Sequence, residues 1–235
     1  MSGTILKPQT QDFQALAERS PMASVDTLFG LVADLWPIMH RLASLVDVKR
    51  TLDKEEFPGP GPDEKSTMRI DFETNTASID LALHQWVPKV PASAMTIEAP
   101  ADDSRLQSVL INAEAHRQAC LIFLNRTVLG TPRTAPKVQT PVKQALQACL
   151  RVVIFSGPMA GLVWPLFTAA VEAVEEVDRN VAKTVFQHLE QRQGMGNIMT
   201  AWEVCMELWR RSDLGQGEPH WRDVARDMGR EVIFG

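Results

Sequence analysis

SGPMAGLVWPLFTAAVEAVEEVDR, residues 156–179, carries the pattern on which the fold turns. Pro165 has a preset φ and no N–H, which suits the first turn of a helix, and it biases Trp164 before it toward extended backbone. A helix is therefore expected to open here. From Leu166 the apolar residues Leu166, Phe167, Ala170, Val171 and Val174 recur at helical spacing, while Glu172, Glu175 and Glu176 fall mostly opposite. The spacing predicts one buried face and one solvated face. It ends near Asp178, whose carboxylate suits it to cap the next helix, VDRNVAKTVFQHLEQRQ.

Working toward the C-terminus, Gly194 and Gly196 break the chain before NIMTAWEVCMELWRRSD. There Ile198, Trp202, Cys205, Met206 and Trp209 form an apolar stripe. A last helix is expected from His220 to Met228, followed by Val232, Ile233 and Phe234. Toward the N-terminus, Thr140-Pro141 reads as an N-cap and a first-turn proline, opening a helix through Val142, Leu146, Cys149 and Val153. The longest regular segment, residues 104–130, is capped by Asp102 or Asp103 and stopped by Gly130 and Pro132. A weaker helical pattern spans residues 68–86, with Asp63 as a possible cap upstream. A strong one spans residues 25–49, which Pro37 must kink or split. Two proline-rich stretches separate these segments and read as loops. Residues 1–22 are polar and irregular and read as a flexible tail, leaving residues 23–235 as one domain. The expectation is an all-α array of about eight to ten helices.

Composition limits the chemistry. With 45% hydrophobic and 23% charged residues, the 235-residue chain has the balance of an ordinary globular protein and needs no disulfide staple. Its net charge of −5 argues against sequence-independent binding to a phosphate backbone. No run of about 18 apolar residues and no secretory signal is present, so the chain reads as intracellular. The three cysteines, Cys120, Cys149 and Cys205, are widely spaced and sit in apolar helical stretches, as buried reduced thiols do. His116 and Cys120 lie four apart on one helix, but the companions of a tetrahedral metal site are missing nearby, and a packed thiol is expected. The glycines of SGPMAG lack the strand and the Gly-Lys-Ser/Thr end of a phosphate cradle. Glu172, Glu175 and Glu176 have no histidine close in sequence and read as a solvated face. No catalytic residue, metal or cofactor is assigned, and a non-enzyme is expected. Tryptophan and methionine concentrate in the C-terminal half, where an apolar pocket formed by Met159, Trp164, Met195, Trp202 and Met206 is a candidate ligand site.

In order along the chain, VDTLFGLVADLWPIMHRLASL, IDLALHQWVP, AEAHRQACLIFLNRTVLG, PVKQALQACL, GLVWPLFTAAVEAVEEVDR, GMGNIMTAWEVCMELWRRSD and HWRDVARDMGREVIFG resemble the fungal-specific transcription factor domain of the second type. That domain is the regulatory region of binuclear zinc-cluster regulators. The motif residues are Trp164, Pro165, Leu166, Phe167, Glu172, Asp178, Arg179, Asn197, Trp209 and Trp221, and the resemblance gives them structural roles. It implies a nuclear, all-α regulatory domain that senses a metabolite or partner; one branch of the family binds sterol. The six-cysteine basic segment of the family is absent here, so DNA contact is expected from an attached or partner module. Expected partners are a small apolar effector, the transcription machinery or another regulator, and a second copy of the chain. The alternative is a helical interaction scaffold without a small ligand, pairing through a stripe such as Leu31, Leu35, Ile38 and Leu42.

Overall fold

Prolines and glycines set most of the helix boundaries. The computed structural model describes residues 31–53, 61–90, 100–155, 161–194, 196–215 and 217–234. The tail expected over residues 1–22, and Met159 and Met195, lie outside them. Among the described residues there are eight α-helices and no strand, as the periodicity predicts. They are α1 (Trp36–Asp53), α2 (Pro62–Gln85), α3 (Pro100–Phe123), α4 (Pro136–Ile154), α5 (Val163–Ala170), α6 (Glu176–Gln193), α7 (Gly196–Asp213) and α8 (Trp221–Asp227). A short 3-10 turn, Ala33–Leu35, leads into α1, and a π-helical turn, Leu124–Val128, closes α3.

Several boundaries differ from expectation. Pro37 neither kinks nor breaks a long helix; it sits at the second position of α1, where a missing N–H costs nothing. Helix α2 begins at Pro62 with Gly61 as its N-cap, so Asp63 lies inside the first turn. Asp102 and Asp103 likewise fall within α3. Helix α4 opens at Pro136, not at Pro141, which is buried in the helix interior. Two prolines compete for the first-turn role there, and the turn from Pro132 to Ala135, closed by Ala135 N–H donating to the Pro132 carbonyl at 3.0 Å, selects the earlier one.

The largest departure is in α5. It starts at Val163, so Trp164 is helical and Pro165 takes the third helical position. The first four N–H groups of a helix have no internal partner, so proline is as acceptable there as at the first position. The helix ends at Ala170, well before Asp178. Glu175 occupies the N-cap of α6 with extended backbone, and Asp178 is in the first turn, where its negative charge suits the helix dipole. Gly194 ends α6 at φ +58°, a conformation natural to glycine.

Burial divides into two apolar cores that share α3. Ala115 and Ile122 face the larger core, built with α4 to α8 around Leu146, Leu166, Phe167, Phe186 and Leu208. Val109, Ala113, Cys120 and Leu121 face the smaller one, formed with α1 and α2. Successive members of the two sets differ by two residues, about 200° around a helix, which places the cores on opposite sides of α3. The α3–α4 pair is the most extensive helix contact in the fold. Leu31, Leu35 and Leu42, expected on a stripe for pairing with a second copy or a regulator, are buried in the smaller core, with Ile38 packed against it. That face is therefore used within the chain, because α1 and α2 form a hairpin whose apolar faces close on each other and on α3. Met206, expected on the α7 stripe, is exposed, while Ile198, Val204, Cys205, Leu208 and Trp209 are buried.

Leu146 is fully buried in the larger core, and Leu81 is 57% exposed on α2. Leu146→Ala should lower unfolding stability by about 2–5 kcal/mol. Leu81→Ala should change it by no more than about 0.5 kcal/mol. Urea unfolding of both variants checks the orientation of the two helices.

Candidate functional site

The end of α5 leaves backbone carbonyls that no continuing helix can satisfy. Side chains from three other helices meet the carbonyls of this turn. Trp209 of α7 donates its Nε1–H to the Ala170 carbonyl at 2.9 Å. Gln139 of α4 donates from Nε2 to the carbonyls of Glu172 (2.8 Å) and Arg133 (2.7 Å). Arg179 of α6 donates from Nε to the Ala173 carbonyl at 3.2 Å. Its Nη1 donates to both oxygens of Asp213, and the group lies 5.3 Å from the Trp209 ring centre.

Glu172 anchors the turn from its side chain. The expectation of a solvated face holds for Glu175 and Glu176, which are exposed, and fails for Glu172, which is 8% exposed. The helix ends before Glu172, so the periodicity that pointed it outward no longer applies. Its Oε2 accepts from Arg126 Nε at 2.7 Å and from Arg133 Nε at 3.1 Å. Arg126 comes from the π-helical turn after α3, whose widened i→i+5 bond runs from Leu129 N–H to the Leu124 carbonyl at 2.9 Å. It also donates to the Thr131 carbonyl and pairs with Glu218. Arg133, 4% exposed at its side chain, further donates to Ser212 and to the Pro219 carbonyl. One carboxylate thus ties α3, the α3–α4 loop and the segment before α8 to the α5–α6 turn.

Other motif residues complete the frame. Pro165 and Leu166 are buried in α5, and Phe167 meets Trp221 edge-on at 5.2 Å and Phe234 at 5.3 Å. Asn197 donates to the Ile233 carbonyl at 3.3 Å, holding the last segment against α7. Trp164 lies 5.9 Å from the His116 ring. The residues expected to form an apolar pocket lie in different places. Trp164 borders a cavity between α3, α5 and α8, Trp202 lies between Phe186 and Trp209, tilted against the first and edge-on to the second, and Met206 is exposed. The cavity measures about 120 Å³ and is walled by Ile122, Phe123, Trp164, Phe167, Trp221 and Phe234, with Arg126, Glu172 and Arg222 at its polar side.

Sequence reasoning missed Arg126, Arg133, Gln139 and Glu218. A signal existed for Arg126, because an arginine inside an apolar helical run must find a carboxylate or carbonyls when buried. Among the described residues no group of three or more His, Cys, Asp or Glu is gathered as a metal site. The three cysteines are buried and free, and burial pushes the Cys120 thiol up to about 12, far from a reactive thiolate. Among the described residues no helix is long and apolar enough to cross a membrane.

Replacing Glu172 with alanine leaves the buried Arg133 and the partly buried Arg126 without their shared carboxylate, and should cost about 3–5 kcal/mol of stability in urea unfolding. Glu218→Ala, with a side chain 47% exposed, should cost no more than about 1 kcal/mol. His116 provides a pH test. Burial lowers its pKa, outweighing the Asn112 and Gly161 carbonyls that favour its protonated form. Below the unfolded value of about 6.5 the unfolded chain binds a proton that the folded one resists, so stability should fall as pH drops from there toward the folded pKa. His116→Gln should remove part of that fall when unfolding is compared at about pH 7 and about pH 5.5.

The fungal-specific transcription factor domain family matches residues 1–235. No curated protein and no solved structure matches the chain. The family match spans every described helix, including the α5–α6 turn and the residues that hold it. The chain belongs to the fungal-specific transcription factor domain family.

Proposed function

We propose that this chain is the regulatory region of a fungal zinc-cluster transcription regulator, acting in the nucleus on an attached or partner DNA-binding module. The observation that carries the reading is the family match along the full 235 residues. A net charge of −5 supports it, since a chain of this charge is poorly suited to hold a phosphate backbone by itself. The DNA contact then belongs to another module, and the helical domain sets when that module acts. The reading is non-enzymatic and needs no resident cofactor.

The size of the described cavity favours control through protein contacts over control through a large apolar effector. Sites for drug-sized ligands measure about 300–1,000 Å³, and the cavity here is about 120 Å³. The scaffold reading draws on the same observation. It differs in predicting a stoichiometric protein partner and no small ligand.

Fusion of the chain to an unrelated DNA-binding module should change expression of a reporter carrying that module's site by several-fold. Glu172→Ala in the same fusion should abolish the change, because the domain loses its internal anchor. A fusion that stays inert under every growth condition, while folded and present in the nucleus, contradicts the reading.

A further inference from the structure

The cavity between α3, α5 and α8 has a charge arrangement that the scaffold role of its neighbours does not explain. Arg126 is fully engaged by Glu172, Glu218 and the Thr131 carbonyl. Arg133 is likewise held by Glu172, Ser212 and Pro219. Arg222 also lines the cavity, yet among the described residues it has no carboxylate partner. With Arg126 and Arg133 taken up by Glu172 and Glu218, Arg222 is the arginine of the cavity wall left without a carboxylate among the described residues. Burial, and to a smaller degree the like charge of Arg50, lowers the Arg222 pKa.

The geometry holds this spare cation in place. The Arg222 guanidinium carbon sits 4.9 Å from the Trp221 ring centre, a cation–π distance that fixes the group over an aromatic plane. Arg222 itself is solvent-exposed, so the cavity meets solvent on its side. The remaining wall is aromatic, from Phe123, Trp164, Phe167 and Phe234. A cavity of about 150 Å³ lined by apolar side chains is enough to admit benzene. One of about 120 Å³ that is open at one end admits the body of a smaller molecule.

We propose that this cavity is a binding site for a short-chain monocarboxylic acid, with the apolar chain among Trp164, Phe167 and Phe234 and the carboxylate at Arg222. The charge-assisted contact to Arg222 supplies selectivity for the acid over a neutral molecule of the same shape, and the aromatic wall supplies the contact for its chain. Glu172 does not repel the acid, because its charge is already taken up by two arginines. The site rests on geometry and charge, and it stands or falls independently of the regulatory reading.

Pentanoate titrated into the full chain, followed by calorimetry and by tryptophan fluorescence, tests it. Saturable one-site binding in the millimolar range is expected for so small a ligand. Pentan-1-ol should bind at least ~10-fold more weakly, the loss expected when a charge-assisted pair is removed. Arg222→Met keeps the stem over Trp221 and should weaken pentanoate by ~10-fold or more while leaving the melting curve in place; Arg222→Lys should recover part of the loss. Arg151→Met, at an exposed arginine on α4, should leave binding unchanged. Non-saturable binding, equal binding of acid and alcohol, or pentanoate binding indifferent to Arg222→Met would each overturn the proposal.

Discussion

The fold depends on how the chain stops α5. A helix of eight residues, Val163–Ala170, is too short to be stable by itself. It is held because the Ala170 carbonyl, the carbonyls of the turn that follows and the Glu172 carboxylate are met by donors from α4, α6, α7 and the π-helical turn after α3. Helices α4, α6 and α7, which carry three of these donors, are themselves packed in the larger core. The turn is therefore where separate amphipathic helices acquire one arrangement. Hydrogen bonds contribute little net stability apiece, about 1 kcal/mol, but a buried carbonyl or guanidinium left without a partner costs more. The network accordingly selects against alternative packings more than it adds to the stability of this one.

Helix α3 is the second constraint. With apolar residues on opposite sides it serves two cores, and the α1–α2 hairpin reaches the rest of the domain chiefly through it and the π-helical turn. The same helix passes directly into the turn that carries Arg126 to Glu172. A change in how the hairpin packs on α3 thus has a short physical route to the α5–α6 turn. The contact with the hairpin and the arginine that anchors the turn thus lie on one continuous piece of backbone.

How much of this was legible depended on whether a feature is local. The all-α class and helices α4 and α7 follow from apolar spacing, and Val142, Leu146, Cys149 and Ile198 are buried as the spacing requires. The start of α2 was not legible because PDEKS carries no apolar period, although its proline and acidic residues suit a first turn. The end of α5 was obscured by Val171 and Val174, which continue the apolar pattern past the true stop. Glu172 then appeared on a solvated face, and its burial became visible only when Arg126 and Arg133 were placed beside it. The motif residues were placed by resemblance, and Trp209 and Arg179 illustrate why spacing could not have given their roles. Both act by bonding to carbonyls 39 and 6 residues away, in a turn whose location depends on the helix end.

Amide hydrogen exchange at Val171, Glu172 and Ala173 tests this account most directly. Their N–H groups donate to the Phe167, Ala169 and Ala170 carbonyls at 3.0–3.2 Å. If the turn is the junction on which the packing depends, these amides exchange only through global unfolding, with the same free energy and denaturant dependence as the slowest amides of α4. Exchange at these three positions by local opening, several kcal/mol easier than global unfolding and insensitive to denaturant, would contradict it.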